Sequence, residues 1–107
     1  MIKVYIASPY TKGDVAVNVK NQMDAADELL NLGFCPFAPL LCHFVHMAHP
    51  RKYENWMDYS MVWLTQCDAV LCLAGESAGA DREVELANQS NIPVYFTIQA
   101  LMDDFYL

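Results

Sequence analysis

The sequence predicts an α/β sandwich, a four- to five-stranded parallel sheet covered by helices on both faces. Three observations predict it. Short apolar, β-branched runs alternate with stretches of helical periodicity along the whole chain. The run at 68–74 is apolar without alternation, as in a strand buried on both sides. The resulting order β-α-β-α-β-α-β-α needs right-handed crossovers, which carry helices over both sheet faces. The architecture is thus a three-layer sandwich of the Rossmann/flavodoxin-like kind. Its ligands bind outside the carboxyl ends of the strands, at the switch in strand order. Two loops meet that description, 8–13 and 75–80.

Each element has a local reason. Residues 2–8 are apolar and β-branched, which suits a buried strand. The stretch 9–13 reads as a turn, and Asp14 can cap a helix beginning at 15. Val15, Val19, Met23, Ala26 and Leu30 recur at helical spacing, and Gly33 stands where a helix C′ glycine belongs. Residues 34–39 form a short strand pinched by Pro36 and Pro39. Residues 40–50 fit either a loop or a short helical turn. A second helix covers 51–66, with Tyr53, Trp56, Ser60 and Trp63 on one face. A tight connection at 75–79 leads into a third helix over 80–90, then a last strand over 92–97. The tail suits a short helix or a subunit contact.

Length and composition bound the function. The 107 residues suffice for one domain spanning 1–107. With 55% hydrophobic residues the chain is not disordered. The net charge of −7 argues against a nucleic-acid polymer as partner, because backbone binding needs clustered Lys and Arg. Any anionic ligand must then be held largely by backbone amides and hydroxyls. Cys35, Cys42, Cys67 and Cys72 form no C-x-x-C pair. No leader-like segment opens the chain and no apolar run reaches membrane length, so a soluble cytoplasmic protein is expected, with no membrane partner.

Four features bear on chemistry. The loop at 75–80 feeds a helix N-terminus, whose free amides suit an anion; Ser77 can add a hydroxyl or simply cap the helix. Gly75-Glu76-Ser77-Ala78-Gly79 also spells G-x-S-x-G, the nucleophile elbow of serine hydrolases. That reading fails, because His43, His46 and His49 all precede Ser77. In the third helix, Glu83 shares a face with Ala80 and Ala87, whereas Glu85 lies with Asp81 and Gln89. Glu83 is therefore the inward carboxylate: paired with a cation or hydroxyl, or a working group. Its place near a helix N-terminus favours the ionised form of a nucleophile. Tyr5 is either core or a hydroxyl that orients this carboxylate. The three histidines do not share one helix face and no second pair lies at zinc spacing, so neither metal nor cofactor is expected. His43 or His46 lining a pocket is the better expectation.

Four stretches together resemble the nucleoside 2-deoxyribosyltransferase superfamily, which includes the deoxynucleoside 5′-monophosphate N-glycosidases. They are Lys3 to Thr11, Gly33 to Pro39, Trp56 to Leu64 leading into Cys67–Leu71, and Ser77 to Ala87. The last has the form S-x-G-x-x-x-E-x-x-x-A and is the most specific. The chain looks most like the small, phage-borne members. The resemblance implies cleavage or transfer at the N-glycosidic bond of a 2′-deoxynucleoside or its 5′-monophosphate, by a hydrolase or a transferase. It implies Glu83 as the carboxylate that attacks C1′ and forms a deoxyribosyl ester, with Tyr5 positioning it. Ser77, with Gly79 in the same motif, matches the phosphate-binding serine of the monophosphate hydrolases. Ser8, Pro9 and Tyr10 fall in the loop that closes over sugar or phosphate. Family sites are often completed by a neighbouring subunit, so a homodimer or larger homo-oligomer is expected.

Two positions depart from the pattern. Ser60 stands where the family has an aspartate that assists the leaving base. The nearest carboxylate, Asp58, is two residues away and turned to another side of the helix. Pro9 stands where the monophosphate hydrolases carry a serine, with Ser8 one position early. The alternatives are a non-catalytic nucleotide-binding module on the same fold and, favoured only by the acidic aromatic tail, a protein-interaction domain.

Overall fold

The computed structural model describes residues 1–75 and 77–106, so Glu76 of the G-x-S-x-G stretch and the terminal Leu107 lie outside the described residues. Four parallel strands, β1 (Lys3–Ala7), β2 (Cys35–Phe37), β3 (Ala69–Cys72) and β4 (Val94–Tyr95), form one sheet in the order β2-β1-β3-β4. The chain moves outward from β1 to β2, returns past β1 to β3, and continues to β4. The switch in order therefore falls between β1 and β3, and their carboxyl ends open a crevice there. This is a flavodoxin-like three-layer α/β fold.

The pleat distributes the strand residues. Val4 and Ile6 of β1 point to one face, packing with Ala25, Leu29, Phe34 and Leu101. That layer consists of α1 (Val15–Asn31) and α5 (Ile98–Phe105). Tyr5 and Ala7 point to the other face, with Val70, Leu64, Ala80 and Ala87. The opposite layer holds α3 (Tyr53–Leu64) and α4 (Ala78–Gln89). Residues 39–48 take helical form, a 3-10 turn at Pro39–Leu41 running into α2 (Cys42–Ala48).

Capping agrees with the sequence at both ends of α1. The Asp14 carboxylate accepts from the Val17 amide, and the chain leaves through Gly33 at φ 88°. There the Phe34 amide donates to Leu29 O and the Gly33 amide to Leu30 O, a Schellman closure whose apolar contact is Leu29 with Phe34. The buried stripe of α1 differs from the predicted one. It runs through Gln22, Ala25 and Leu29, while Leu30 is 58% exposed. A polar side chain occupies the stripe, and the apolar pattern alone marks a neighbouring phase. On α3 the buried residues are Met57, Ser60 and Leu64. Trp63 is half-exposed and stacks on Phe37 with ring centroids 5.5 Å apart. The last strand is only Val94–Tyr95, because β4 pairs with β3 alone and ends the sheet.

Candidate functional site

The site lies at the carboxyl ends of β1 and β3, where α4 begins. The pleat sends Tyr5 toward α4, and the inward stripe of α4 brings Glu83 to meet it. Ala80, Glu83 and Ala87 are buried along that stripe, whereas Glu85 is exposed. The Tyr5 hydroxyl donates a hydrogen bond to Glu83 Oε2. Ser60 of α3 is buried close to the same phenol, where its hydroxyl favours the ionised form against the larger effect of burial. The Tyr5 ring is held against Phe37, which in turn stacks on Trp63.

Burial dominates the electrostatics here. It pushes the Glu83 carboxyl up to about 7, against a smaller downward pull from the Tyr5 hydrogen bond. The ionised form expected from the helix N-terminus is thus opposed by desolvation, and desolvation wins. Burial also raises Tyr5 far above the ordinary tyrosine range, with the nearby Glu83 charge adding to it. Neighbouring Cys72 is raised by burial first and by the Glu83 and Asp81 charges second.

Beside the pair opens a cavity of about 570 Å³, large enough for a nucleotide-sized ligand. Ser8, Tyr10, His43, Ser60, Ser77, Gly79 and Glu83 all line it. Tyr5 is fully buried behind Glu83 rather than on the cavity surface. Ser77 caps α4, its hydroxyl oxygen accepting from the Ala80 amide at 3.1 Å. An added Cβ at Gly79 would lie 3.0 Å from the Tyr53 hydroxyl, so a glycine lets α3 and α4 approach closely there.

Two predicted positions fall elsewhere. Asp58 is exposed on α3 and does not line the cavity. Pro9 turns away toward the loop after β3. A Cβ on Gly75 would sit 2.6 Å from Pro9 Cγ, and Gly75 has φ 125°. The two ligand-side loops therefore touch through Pro9 and a glycine that tolerates both the contact and the backbone angle.

The loop after β1 is tied down. Asn18 Nδ2 donates to the backbone oxygens of Tyr10 and Lys12, each at 2.9 Å. The Tyr10 hydroxyl and His43 Nδ1 lie 2.6 Å apart, linking this loop to α2. His46 Nδ1 accepts from the Trp56 indole N–H at 2.9 Å and from the Arg51 amide at 3.2 Å. An indole nitrogen can only donate, so the His46 proton resides on Nε2. Among the described residues no group of three His, Cys, Asp or Glu side chains could hold a metal ion. All four cysteines are free, and no described helix is long and apolar enough to cross a membrane.

Sequence reasoning missed Gln22, Arg51 and Met57 as cavity residues. For Gln22 a signal existed. It lies seven residues from both Val15 and Leu29, two helical turns either way, so it belongs on the buried stripe.

Residues 2–97 match a family described as a domain of unknown function, DUF7768. The chain belongs to the DUF7768 family. No curated protein matches this DUF7768 chain. Among solved structures it is similar to the 2-deoxyribosyltransferase of the psychrotolerant bacterium Bacillus psychrosaccharolyticus, characterised as a biocatalyst for the synthesis of antiviral and antitumoral nucleosides. The TM-score is 0.63 and the identity 20%, over 86% of this chain and 69% of that one. The DUF7768 chain thus shares the fold of that transferase.

Proposed function

We propose that the protein cleaves or transfers at the N-glycosidic bond of a 2′-deoxynucleoside or its 5′-monophosphate, with Glu83 as nucleophile. The observation that carries this reading is the buried Tyr5–Glu83 hydrogen bond at the wall of the cavity. A carboxylate in a dry site beside a nucleotide-sized cavity is suited to meet an oxocarbenium-like carbon. Glu83 attacks C1′ as the C1′–N bond breaks, and the electron pair leaves with the base, which takes up a proton from solvent water. Tyr5 holds the carboxylate in one rotamer throughout. Water then attacks C1′ of the ester and releases the deoxyribose species; in a transferase a second base attacks instead. The fold shared with a 2-deoxyribosyltransferase supports the same class of substrate.

Ser8, Tyr10, His43, Ser60, Ser77 and Gly79 are the proposed ligand contacts, acting within one domain that works as a homodimer or larger homo-oligomer. Of the described residues lining the cavity, Glu83 is the one carboxylate. That observation favours the second reading, a nucleotide-binding module without turnover, since no second carboxyl group stands among the described lining residues to protonate the base.

The test is incubation with the 2′-deoxynucleoside 5′-monophosphates and the free nucleosides, followed by chromatography for free base. Base release by the wild type and none by Glu83→Ala is the expected outcome. Release that persists in Glu83→Ala sinks the nucleophile assignment. Saturable binding with no release supports the binding module. Adding a second base separates transfer from hydrolysis.

A further inference from the structure

Gln22 is fully buried in the middle of α1, yet no carboxamide is needed to pack a helix on a sheet. Its three hydrogen bonds explain it. Nε2 donates to Ile6 O at 3.2 Å and to Ser8 Oγ at 2.8 Å, and Oε1 accepts from the Leu40 amide at 2.8 Å. Two of these partners fix the orientation of the amide. A backbone N–H can only donate, so the atom facing Leu40 must be oxygen. A backbone carbonyl can only accept, so the atom facing Ile6 must be nitrogen. The group facing Ser8 is therefore an N–H, and Ser8 Oγ is compelled to accept.

That settles the polarity of Ser8. With its oxygen accepting from Gln22, the hydroxyl proton must go elsewhere, and no other hydrogen bond engages this hydroxyl among the described residues. Ser8 is 7% exposed, and it shares the cavity wall with Gln22 and Leu40. The proton is left free to point into the cavity, which Ser8 lines on the side of Gln22 and Leu40. Pro9 is meanwhile drawn to Gly75, away from this wall.

We propose that Gln22 is a positioning residue that commits the Ser8 hydroxyl to donate to an oxygen of the bound ligand, while bracing the Leu40 wall opposite. The inference rests on the cavity being a deoxynucleoside or deoxynucleotide site and adds a recognition device to it. The ligand atom is an acceptor, a phosphate or sugar oxygen. Comparing free nucleosides with their 5′-monophosphates tells the two apart, because only a phosphate acceptor makes the Ser8 effect vanish with the free nucleosides.

The experiment uses the full chain with Ser8→Ala, Gln22→Met, Gln22→Glu and the Ser8→Ala/Gln22→Met double variant. The probes are the four common 2′-deoxynucleoside 5′-monophosphates and their nucleosides, read by calorimetric Kd and by KM and kcat for base release. Loss of one hydrogen bond to ligand raises Kd and KM about tenfold, with kcat within about twofold of wild type. Gln22→Met matches that increase, and the double variant adds nothing further. Gln22→Glu keeps the acceptor for the Leu40 amide but turns the Ser8 partner into an acceptor, which captures the hydroxyl proton and again raises Kd. Ser8→Ala leaves one buried Gln22 N–H without its acceptor and lowers the melting temperature, so Kd is measured well below that temperature, where every variant is folded.

A lower melting temperature with unchanged Kd in both Gln22 variants overturns the proposal, as does an additive double variant. Binding without base release sinks the glycosidic chemistry and leaves the Gln22 result standing. Base release with unchanged Kd and KM in the Gln22 and Ser8 variants overturns Gln22 alone. No binding of any probe by the wild type overturns both.

Discussion

The two faces of the sheet are built from the same strands and differ in what they enclose. On the α1/α5 face, Val4, Ile6, Leu29, Phe34, Leu71 and Leu101 close into an apolar core. On the α3/α4 face, the alternate residues of the same strands meet smaller partners, Ala80 and Ala87, and Glu83 takes its place between them. Small side chains let α4 approach the sheet, and a carboxylate on that stripe is pressed into a dry environment. Strand alternation thus divides labour: one register packs, and the other carries a titratable group to the edge of a cavity. Stability and activity should be separable by face.

The largest expected effect is on turnover. Glu83→Gln is isosteric and should lower kcat by at least about 10³-fold if Glu83 is the nucleophile. Its fold should persist, checked by circular dichroism and melting. The mirror experiment is Phe34→Ala on the packed face, expected to cost about 3–5 kcal/mol in denaturant unfolding. Kd for ligand should be little changed in whatever fraction stays folded. A Phe34→Ala protein that keeps its stability but loses ligand affinity would break the division between faces.

A pH series sharpens the comparison further. The Glu83 carboxyl is raised from 4.5 to about 7 in the fold. The native state therefore holds this proton where the unfolded chain has released it. The associated stability is complete below about 4.5 and is lost as pH rises through about 7. The loss amounts to about 3 kcal/mol, and Glu83→Gln removes it. Urea unfolding of both proteins at pH 5 and pH 8 measures the difference. Turnover should run the opposite way, rising as Glu83 ionises through about 7. A packed-face variant should leave both profiles in place.

Tyr5→Phe comes next. It removes the hydrogen bond that pulls the Glu83 carboxyl down, so the rising limb of the pH–rate profile should move to higher pH. Kcat should fall about 10- to 100-fold. The smallest effect belongs to the loop contact. Gly75→Ala introduces a methyl 2.6 Å from Pro9 Cγ at φ 125°, and should cost about 1–3 kcal/mol. Adding Pro9→Ala should recover part of that loss, because it relieves the clash and leaves the backbone angle. Equal melting temperatures for Gly75→Ala and wild type would show that the two loops do not touch.

Much of the fold and site is legible in the sequence because it depends on local chemistry. Asp14 and Gly33 announce the ends of α1 by what a helix needs at its termini. Helical phase alone separates Glu83 from Glu85, since small apolar neighbours mark the inward stripe. At Gln22 only the seven-residue spacing from Val15 and Leu29 marks the α1 stripe, because apolar periodicity by itself assigns polar residues to the solvent side. The partners of Gln22, Ile6 O, Ser8 Oγ and the Leu40 amide, come from three separate segments. No sequence window contains them together. Pro9 is similar: its contact with Gly75 exists only once β1 and β3 are neighbours. Features decided within one element are readable, and features decided between loops are not.

The hydrogen bond from Trp56 to His46 gives the cavity an intrinsic optical reporter. The chain has two tryptophans, and only Trp56 lines the cavity; Trp63 stacks on Phe37 outside it. A Trp63→Phe protein would carry a single indole whose N–H is tied to an imidazole on the cavity wall. Its emission would track ligand entry directly, without label or coupled assay, and so resolve occupancy on the timescale of a mixing experiment.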